Sequence, residues 1–125
     1  MKLRFLGKDS TPTNSPTLYA SDRDSFIVQG WIVADESVRS ELALEADEDL
    51  VEVPAGLMQH LAADGLVGAV GHHLTPIVRV LDSGNFVVQG KQVTDPEALG
   101  QMVVPEHETC VEVGRAAIAA LLVGG

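Results

Sequence analysis

Two Gln-Gly pairs are the residues of this sequence whose type and spacing first suggest a binding site. Gln29-Gly30 and Gln89-Gly90 each lie in the middle of a segment rich in β-branched and aromatic residues, which predicts a strand. A glycine inside a strand is typical of a bulge or of a close backbone approach, and a neighbouring amide can pair with a backbone group there. The pattern favours this structural role over the alternative, in which both amides face one small polar ligand.

Two aromatic side chains near the first Gln-Gly pair could contact a partner or a ligand. Tyr19 and Trp31 are the single tyrosine and the single tryptophan of the chain. Such side chains supply much of the binding energy at protein interfaces. A core with few aromatics could equally take up Trp31, so both interpretations stay open. Tyr19, Gln29, Trp31 and Gln89 are therefore candidate contacts with a ligand or a partner.

The histidines and the single cysteine do not predict a metal site or a catalytic site. His72 and His73 are adjacent, and on an extended segment their side chains diverge, whereas zinc ligands need a converging spacing. Cys110 occupies an apolar strand position, which predicts a buried and inert thiol. The sequence has no GxSxG, no glycine-rich phosphate loop and no HExxH motif. We predict no catalytic residue, no metal ligand and no cofactor; the residues favour a non-enzymatic role and leave catalysis open.

The charge of the chain restricts the class of partner. Asp and Glu number 18 against 8 Lys and Arg, and the formal net charge is −10. Nucleic acids and anionic membranes bind clustered lysine and arginine, so we expect neither as a partner. Eight carboxylates lie between Asp35 and Glu52, among them Glu45, Asp47 and Asp49, which are predicted to lie in a loop. This stretch is either a solvated surface, the simpler interpretation, or a contact surface for a basic protein.

The strongest signal in the sequence is an internal repeat. Residues 16–62 and 76–122 align without a gap and share 13 identical pairs in 47 positions, where ordinary residue frequencies would give roughly three. The pairs are Pro16/Pro76, Asp22/Asp82, Phe26/Phe86, Val28/Val88, Gln29/Gln89, Gly30/Gly90, Val33/Val93, Asp35/Asp95, Glu48/Glu108, Val51/Val111, Glu52/Glu112, Val53/Val113 and Leu61/Leu121. The sequence predicts repeat 1 at 16–62, a linker at 63–75 and repeat 2 at 76–122.

Each repeat is predicted to contain two strands, a helix, a third strand and a final helix. The predicted strands are 18–21, 26–33 and 50–53 in repeat 1, and 77–81, 86–93 and 110–113 in repeat 2. The first helices are predicted at 36–44 and 96–102, with Asp35 and Asp95 as N-caps. The final helices carry Leu57, Met58 and Leu61 or Ile118, Leu121 and Leu122.

The length of the repeat predicts how the two copies are arranged. A unit as short as one repeat buries too little apolar surface to be stable alone, so two units should pack on each other. We predict a single α+β domain, residues 1–125, in which two duplicated ββαβα units share one core around a pseudo-twofold axis.

Two weaker features predict the cellular compartment of the protein. Its basic first residues are not followed by the long apolar stretch of a secretory signal. One cysteine excludes an internal disulfide and fits a reducing compartment. We expect a cytoplasmic protein.

Two stretches of the sequence carry a family resemblance. They are RFLGKDSTPTNSPTLYASDRDSFIVQGW (Arg4–Trp31) and VTDPEALGQMVVPEHETCVEV (Val93–Val113). Both resemble an uncharacterised family of small acidic proteins of streptomycetes and other actinobacteria, and that family is similar to proteins encoded near helix-turn-helix regulators. The resemblance implies a regulatory, protein-binding role and carries over no functional residue.

Two functions fit these features. The first is a non-catalytic acidic interaction or regulatory module, whose partner is a protein with a basic surface or a transcriptional regulator. The alternative is a small-ligand-binding protein or minor enzyme that uses the cleft between the repeats. Repeat 2 departs from repeat 1 at Lys91, Gly114 and Ala117, so equal roles for the two copies are not required. Formation of a homo-oligomer is left open.

Overall fold

Strands dominate the structure of this chain, a computed structural model that describes residues 1–8 and 16–123. The fold is α+β, as the sequence predicts at this level. The strands are β1 (Leu3–Lys8), β2 (Thr17–Ser21), β3 (Ser25–Ile32), β4 (Glu48–Val53), β5 (Ala69–Val70), β6 (Ile77–Val80), β7 (Phe86–Gln92), β8 (Glu108–Gly114) and β9 (Leu122–Val123). The helices are α1 (Glu36–Glu41), a 3₁₀ helix (Ala55–Asp64), α2 (Pro96–Gly100) and α3 (Arg115–Ala119).

Seven of these strands form an antiparallel sheet that closes on itself. Strand β3 pairs with β8 over most of its length and with β4 at its end. Strand β7 pairs with β4 over most of its length and with β8 at its end. Strands β2 and β1 extend the sheet beyond β3, and β6 extends it beyond β7. A closed ring of β3, β8, β7 and β4 therefore lies at the centre of the molecule.

The two long pairings in this ring join equivalent positions of the two aligned halves. Gln29 of β3 lies opposite Cys110 of β8, and Gln89 of β7 lies opposite Leu50 of β4. The long strand of the first half (residues 16–62) therefore pairs with the third strand of the second half (residues 76–122), and the reverse holds as well. Because the pairings cross between the halves, neither half completes the ring alone.

The ring strands supply about half of the buried residues of the main core. Each ring strand contributes two buried side chains at alternate positions, as the pleat of a strand requires. These are Phe26, Val28, Val51, Val53, Phe86, Val88, Val111 and Val113. The 3₁₀ helix adds Leu57, Met58 and Leu61, and the C-terminal segment adds Ile118 and Leu121. A second, smaller cluster of Val33, Val38, Leu50 and Val87 packs the sheet against α1.

Gly30 and Gly90 lie where one ring strand approaches the backbone of another. A Cβ atom added at Gly30 would lie 2.5 Å from the carbonyl oxygen of Glu52. A Cβ atom added at Gly90 would lie 2.6 Å from the carbonyl oxygen of Glu112. The register through both glycines is regular. Of the two explanations for the Gln-Gly motif, the structure shows the close backbone approach and not a bulge.

Helices α1 and α2 begin at the predicted caps and end earlier than predicted. Asp35 accepts a hydrogen bond from the N–H of Ser37 at 2.9 Å, and Asp95 accepts one from the N–H of Glu97 at 3.0 Å. Hydrogen bonds from the Ser37 side chain and backbone lower the pKa of Asp35. Helix α1 stops at Glu41 because Leu42 takes an extended backbone and packs against the smaller cluster.

The predicted linker contains a short strand that the sequence did not indicate. Strand β5 pairs with β9, and the N–H of Gly71 donates to the carbonyl oxygen of Leu121 at 2.8 Å. Leu122, predicted to lie on the final helix, belongs to β9 instead because α3 ends at Ala119. The pairing ties the linker to the C-terminal segment, and strands this short give no alternation pattern.

Candidate functional site

Gln29 is enclosed by the protein, with only 1% of its surface exposed. Its Nε2 donates to Oε1 of Glu108 and to the carbonyl oxygen of Val103, both at 2.7 Å. Glu108, on β8, is 4% exposed, so the amide and the carboxylate meet away from solvent. The Oε1 atom of Gln29 is buried, and no residue in the described part of the chain donates to it. Gln29 therefore joins β3 to β8 and to the segment after α2.

Gln89, the equivalent residue on β7, is only half-buried. Its Nε2 donates to Oε1 of Glu48, at the start of β4, at 3.0 Å. Glu48 and Glu108 are themselves an identical pair in the alignment of the two halves, so each half contributes a glutamine that meets a glutamate of the other half. The two candidate amides thus contact different carboxylates.

The partners of the two glutamines differ from the prediction. Backbone groups close to Gly30 and Gly90 were expected, but the main partners are carboxylates, with one backbone carbonyl added for Gln29. The reason is that the strand ladder is regular at both glycines, so there is no bulge whose unpaired backbone groups an amide would bind. Glu48/Glu108 is one of the identical pairs of the alignment, and this was the sequence signal that could have identified the carboxylates.

The two candidate aromatic residues lie on different strands and neither is fully buried. Tyr19, on β2, is half-buried and meets the exposed ring of Phe5 edge-on, with 6.1 Å between the ring centres. Burial raises the pKa of Tyr19, and the nearby Cys110 raises it further by a smaller amount. Trp31 lies half-exposed near the end of β3, opposite Glu108 on one side and Glu52 on the other. The cross-strand neighbours of Trp31 are therefore one buried and one half-buried glutamate.

The three candidate acidic residues divide into two groups. Glu45 and Asp47 are exposed and lie in the turn before β4, as predicted. Asp49 does not lie in a loop, because β4 begins at Glu48. Its half-buried carboxylate accepts hydrogen bonds from Nη1 of Arg39 at 3.1 Å and from the N–H of Leu50 at 2.8 Å. Asp49 has a structural role, which removes it from the set of free surface charges.

Cys110 lies in the interior with 5% of its surface exposed. Burial raises the pKa of its thiol to about 11. Because the thiolate is the reactive form, the folded protein keeps Cys110 in its unreactive state at neutral pH.

We therefore expect iodoacetamide at pH 8 to alkylate Cys110 far more slowly in the folded protein than in the protein unfolded in urea. Mass spectrometry of the alkylated protein over time measures both rates. Equal rates in the folded and unfolded protein would contradict the burial and the raised pKa of the thiol.

Two of the histidines, His73 and His107, each contact one neighbouring side chain. The ring of His73 is tilted against that of Phe86, with 5.7 Å between the centres, and Nε2 of His107 lies 3.6 Å from a carboxylate oxygen of Glu108. Within residues 1–8 and 16–123, no group of three His, Cys, Asp or Glu side chains is placed to hold a metal ion.

Comparisons of the chain with protein-family models, with curated proteins and with solved structures each gave no match. In the part of the chain that the structure describes, no helix has the length and apolar character needed to cross a membrane.

Proposed function

We propose that this chain is a non-catalytic interaction or regulatory module that binds a basic protein surface in the cytoplasm. The contact is made by residues 45–47, which we call the acidic turn. Glu45 and Asp47 are exposed there, and neither forms an ion pair with any residue that the structure describes. Other carboxylates of the same stretch have partners: Glu41 pairs with Arg79, and Asp49 pairs with Arg39.

The observation that supports this proposal most strongly is that the acidic turn is held in place by backbone hydrogen bonds. The N–H of Glu48 donates to the carbonyl oxygen of Glu45 at 3.0 Å, and the N–H of Gln92 donates to the carbonyl oxygen of Asp47 at 2.8 Å. The N–H of Glu45 also donates to Oε1 of Glu48 at 3.0 Å. A fixed turn loses little conformational entropy on binding, so its two unpaired carboxylates are preorganised to bind cationic side chains.

The equivalent turn of the second half indicates that the fold itself does not require these charges. The N–H of Glu108 donates to the carbonyl oxygen of Pro105, and the N–H of Ile32 donates to the carbonyl oxygen of His107, both at 3.0 Å. These two bonds match the backbone bonds of the acidic turn. Pro105 and His107 occupy the positions of Glu45 and Asp47. The first half therefore carries charge beyond what the turn needs, as expected of a contact surface. A transcriptional regulator is the partner that the actinobacterial resemblance suggests.

We also infer that the domain is a duplication, with repeats at 16–62 and 76–122 around a pseudo-twofold axis and the linker at 63–75 between them. Support comes from the 13 identical pairs, from ring registers that join equivalent positions, and from matching N-caps at Asp35 and Asp95. Because the backbone surroundings of Gly30 and Gly90 match, we expect substitutions at these two positions to have similar effects on stability.

The proposed function is tested by affinity capture from a lysate of the organism that produces the chain. Three baits are compared at low and at high salt: the unmodified protein, the Glu45→Gln/Asp47→Asn variant, and an Asp82→Asn/Glu106→Gln control. The control removes the same charge from exposed positions of the second half. We expect a basic protein that the unmodified bait and the control retain at low salt and that the acidic-turn variant loses. Equal retention by all three baits would refute the role of the acidic turn.

A further inference from the structure

A pocket of about 180 Å³ opens on the surface where β4, β7 and β8 meet α3. Its wall includes Glu48 from the first half and Gln89, Lys91 and Glu112 from the second. Val113 and Ala117 contribute apolar surface. The pocket therefore combines charges of both signs, an amide and a small apolar surface, and it lies at the junction of the two halves.

Among the many positions at which the second half differs from the first, three lie in the wall of the pocket. Lys91, Gly114 and Ala117 all border it. The aligned residues of the first half are larger: Trp31, Pro54 and Leu57, of which Leu57 is 1% exposed. Small residues at Gly114 and Ala117 leave space that bulky side chains would occupy. The opening of the pocket thus follows from the sequence differences between the halves.

Lys91 carries the one unpaired positive charge of the pocket wall. It lies opposite Glu48 on β4 and opposite Glu112 on β8, yet its ammonium forms no ion pair with a described residue. The carboxylate of Glu112 is already bound by Arg23 at 2.7 Å and by the hydroxyl of Ser25 at 2.6 Å. Tryptophan stands at the equivalent position of the first half, so the shared fold does not need a cation here.

Acceptor atoms also line the pocket, next to Lys91 on β7 and opposite it on β4. Oε1 of Glu48 accepts from Nε2 of Gln89 and from the N–H of Glu45, both at 3.0 Å. Within residues 1–8 and 16–123, Oε2 of Glu48 and Oε1 of Gln89 have no donor. These two oxygens can accept hydrogen bonds from an ammonium group, while the Lys91 ammonium can bind a carboxylate.

We propose that this pocket binds a small zwitterion, an α-amino acid with a short side chain. The ligand carboxylate contacts Lys91, the ligand ammonium contacts Glu48 and Gln89, and the side chain lies against Val113 and Ala117. A simple anion would be repelled by Glu48, and a simple amine would be repelled by Lys91. The volume of the pocket suits a short side chain. This site is separate in function from the acidic turn, although Glu48 borders both.

The ligands for the test are L-alanine, L-serine and L-valine, titrated into the folded protein at millimolar concentrations and followed by two-dimensional NMR. Acetate and ethylamine each carry one of the two charges, and L-tryptophan carries a much larger side chain. We expect saturable shifts at Gly90, Lys91 and Gly114 with at least one of the three small amino acids. Absence of shifts with all three, or equal binding of acetate or ethylamine, would overturn the proposal.

Two variants locate the binding. Lys91→Gln should weaken the affinity about tenfold or more, since a charge-assisted hydrogen bond is lost. Ala117→Leu restores the residue of the first half, fills the pocket and should abolish binding. Lys8→Gln removes an exposed charge from β1, outside the pocket, and should bind like the unmodified protein. Lys91 and Ala117 are exposed, so both variants should keep the melting temperature. Unchanged affinity in both pocket variants would show that the amino acid binds elsewhere and would refute the assignment.

Discussion

Replacing Gly30 with alanine should lower the free energy of unfolding by about 3 kcal/mol, and Gly90→Ala should cost a similar amount. The new methyl group at Gly30 would lie 2.5 Å from the Glu52 carbonyl oxygen and 2.6 Å from Cγ1 of Val53. A side chain could rotate away from such a contact, but a backbone oxygen within the ring cannot move without disturbing the β3–β4 pairing. Urea denaturation followed by circular dichroism measures the loss.

The matched control for these variants is Gly100→Ala. Gly100 is the last residue of α2, and no atom lies within 4 Å of a Cβ atom added there. Alanine is favoured over glycine in a helix, so this change should be neutral or raise the stability by less than about 1 kcal/mol. Stability losses at Gly30 and Gly90 no larger than in the control would contradict the close approach. A large loss at only one of the two glycines would argue against the inferred duplication.

Replacing Gln29 with leucine should lower the free energy of unfolding by about 2 kcal/mol. The two side chains have similar volumes, so the change removes hydrogen bonds with little effect on packing. Nε2 of Gln29 no longer donates to the buried carboxylate of Glu108 or to the carbonyl oxygen of Val103. A buried charged acceptor that loses a donor carries a desolvation cost that water does not relieve.

The equivalent change in the second half is the natural control for Gln29→Leu. Gln89 is half-buried and lines an open pocket, so water can replace its amide at Glu48. Gln89→Leu should therefore cost less than about 1 kcal/mol. Thermal and urea denaturation of both variants give the comparison. Equal losses of stability in the two variants, or no loss in Gln29→Leu, would contradict the claim that burial makes Gln29 more important for stability than Gln89.

Much of the local structure was predictable from the sequence. The long strands were identified because Val, Ile and Phe surround each Gln-Gly pair, and the start of each following helix was identified because an aspartate stands at the N-cap. The close approach at Gly30 and Gly90 was one of two interpretations of a glycine within a strand. These features depend on a few neighbouring residues, and a single sequence contains that information.

Features that depend on contacts between distant residues were not predictable. The apolar run in β3 predicts a buried strand, but it does not specify β8 as the neighbour, so Glu108 could not be assigned to Gln29. Asp49 was placed in a loop because its acidic neighbours concealed the start of β4. Three differences between the aligned halves, at Lys91, Gly114 and Ala117, are visible in the sequence, yet their meeting in one pocket depends on how the halves pack.

The proposed function is tested most directly by the association rate with the captured basic protein, measured by stopped-flow fluorescence from low to high salt. Electrostatic attraction raises association rates, and salt screens it. We expect the unmodified protein and the Asp82→Asn/Glu106→Gln control to associate quickly at low salt and more slowly as salt rises. The Glu45→Gln/Asp47→Asn variant should associate about tenfold more slowly at low salt and approach the others at high salt. A rate that is independent of salt and unaffected by the acidic-turn variant would contradict the proposal and leave Glu45 and Asp47 as solvated surface charges.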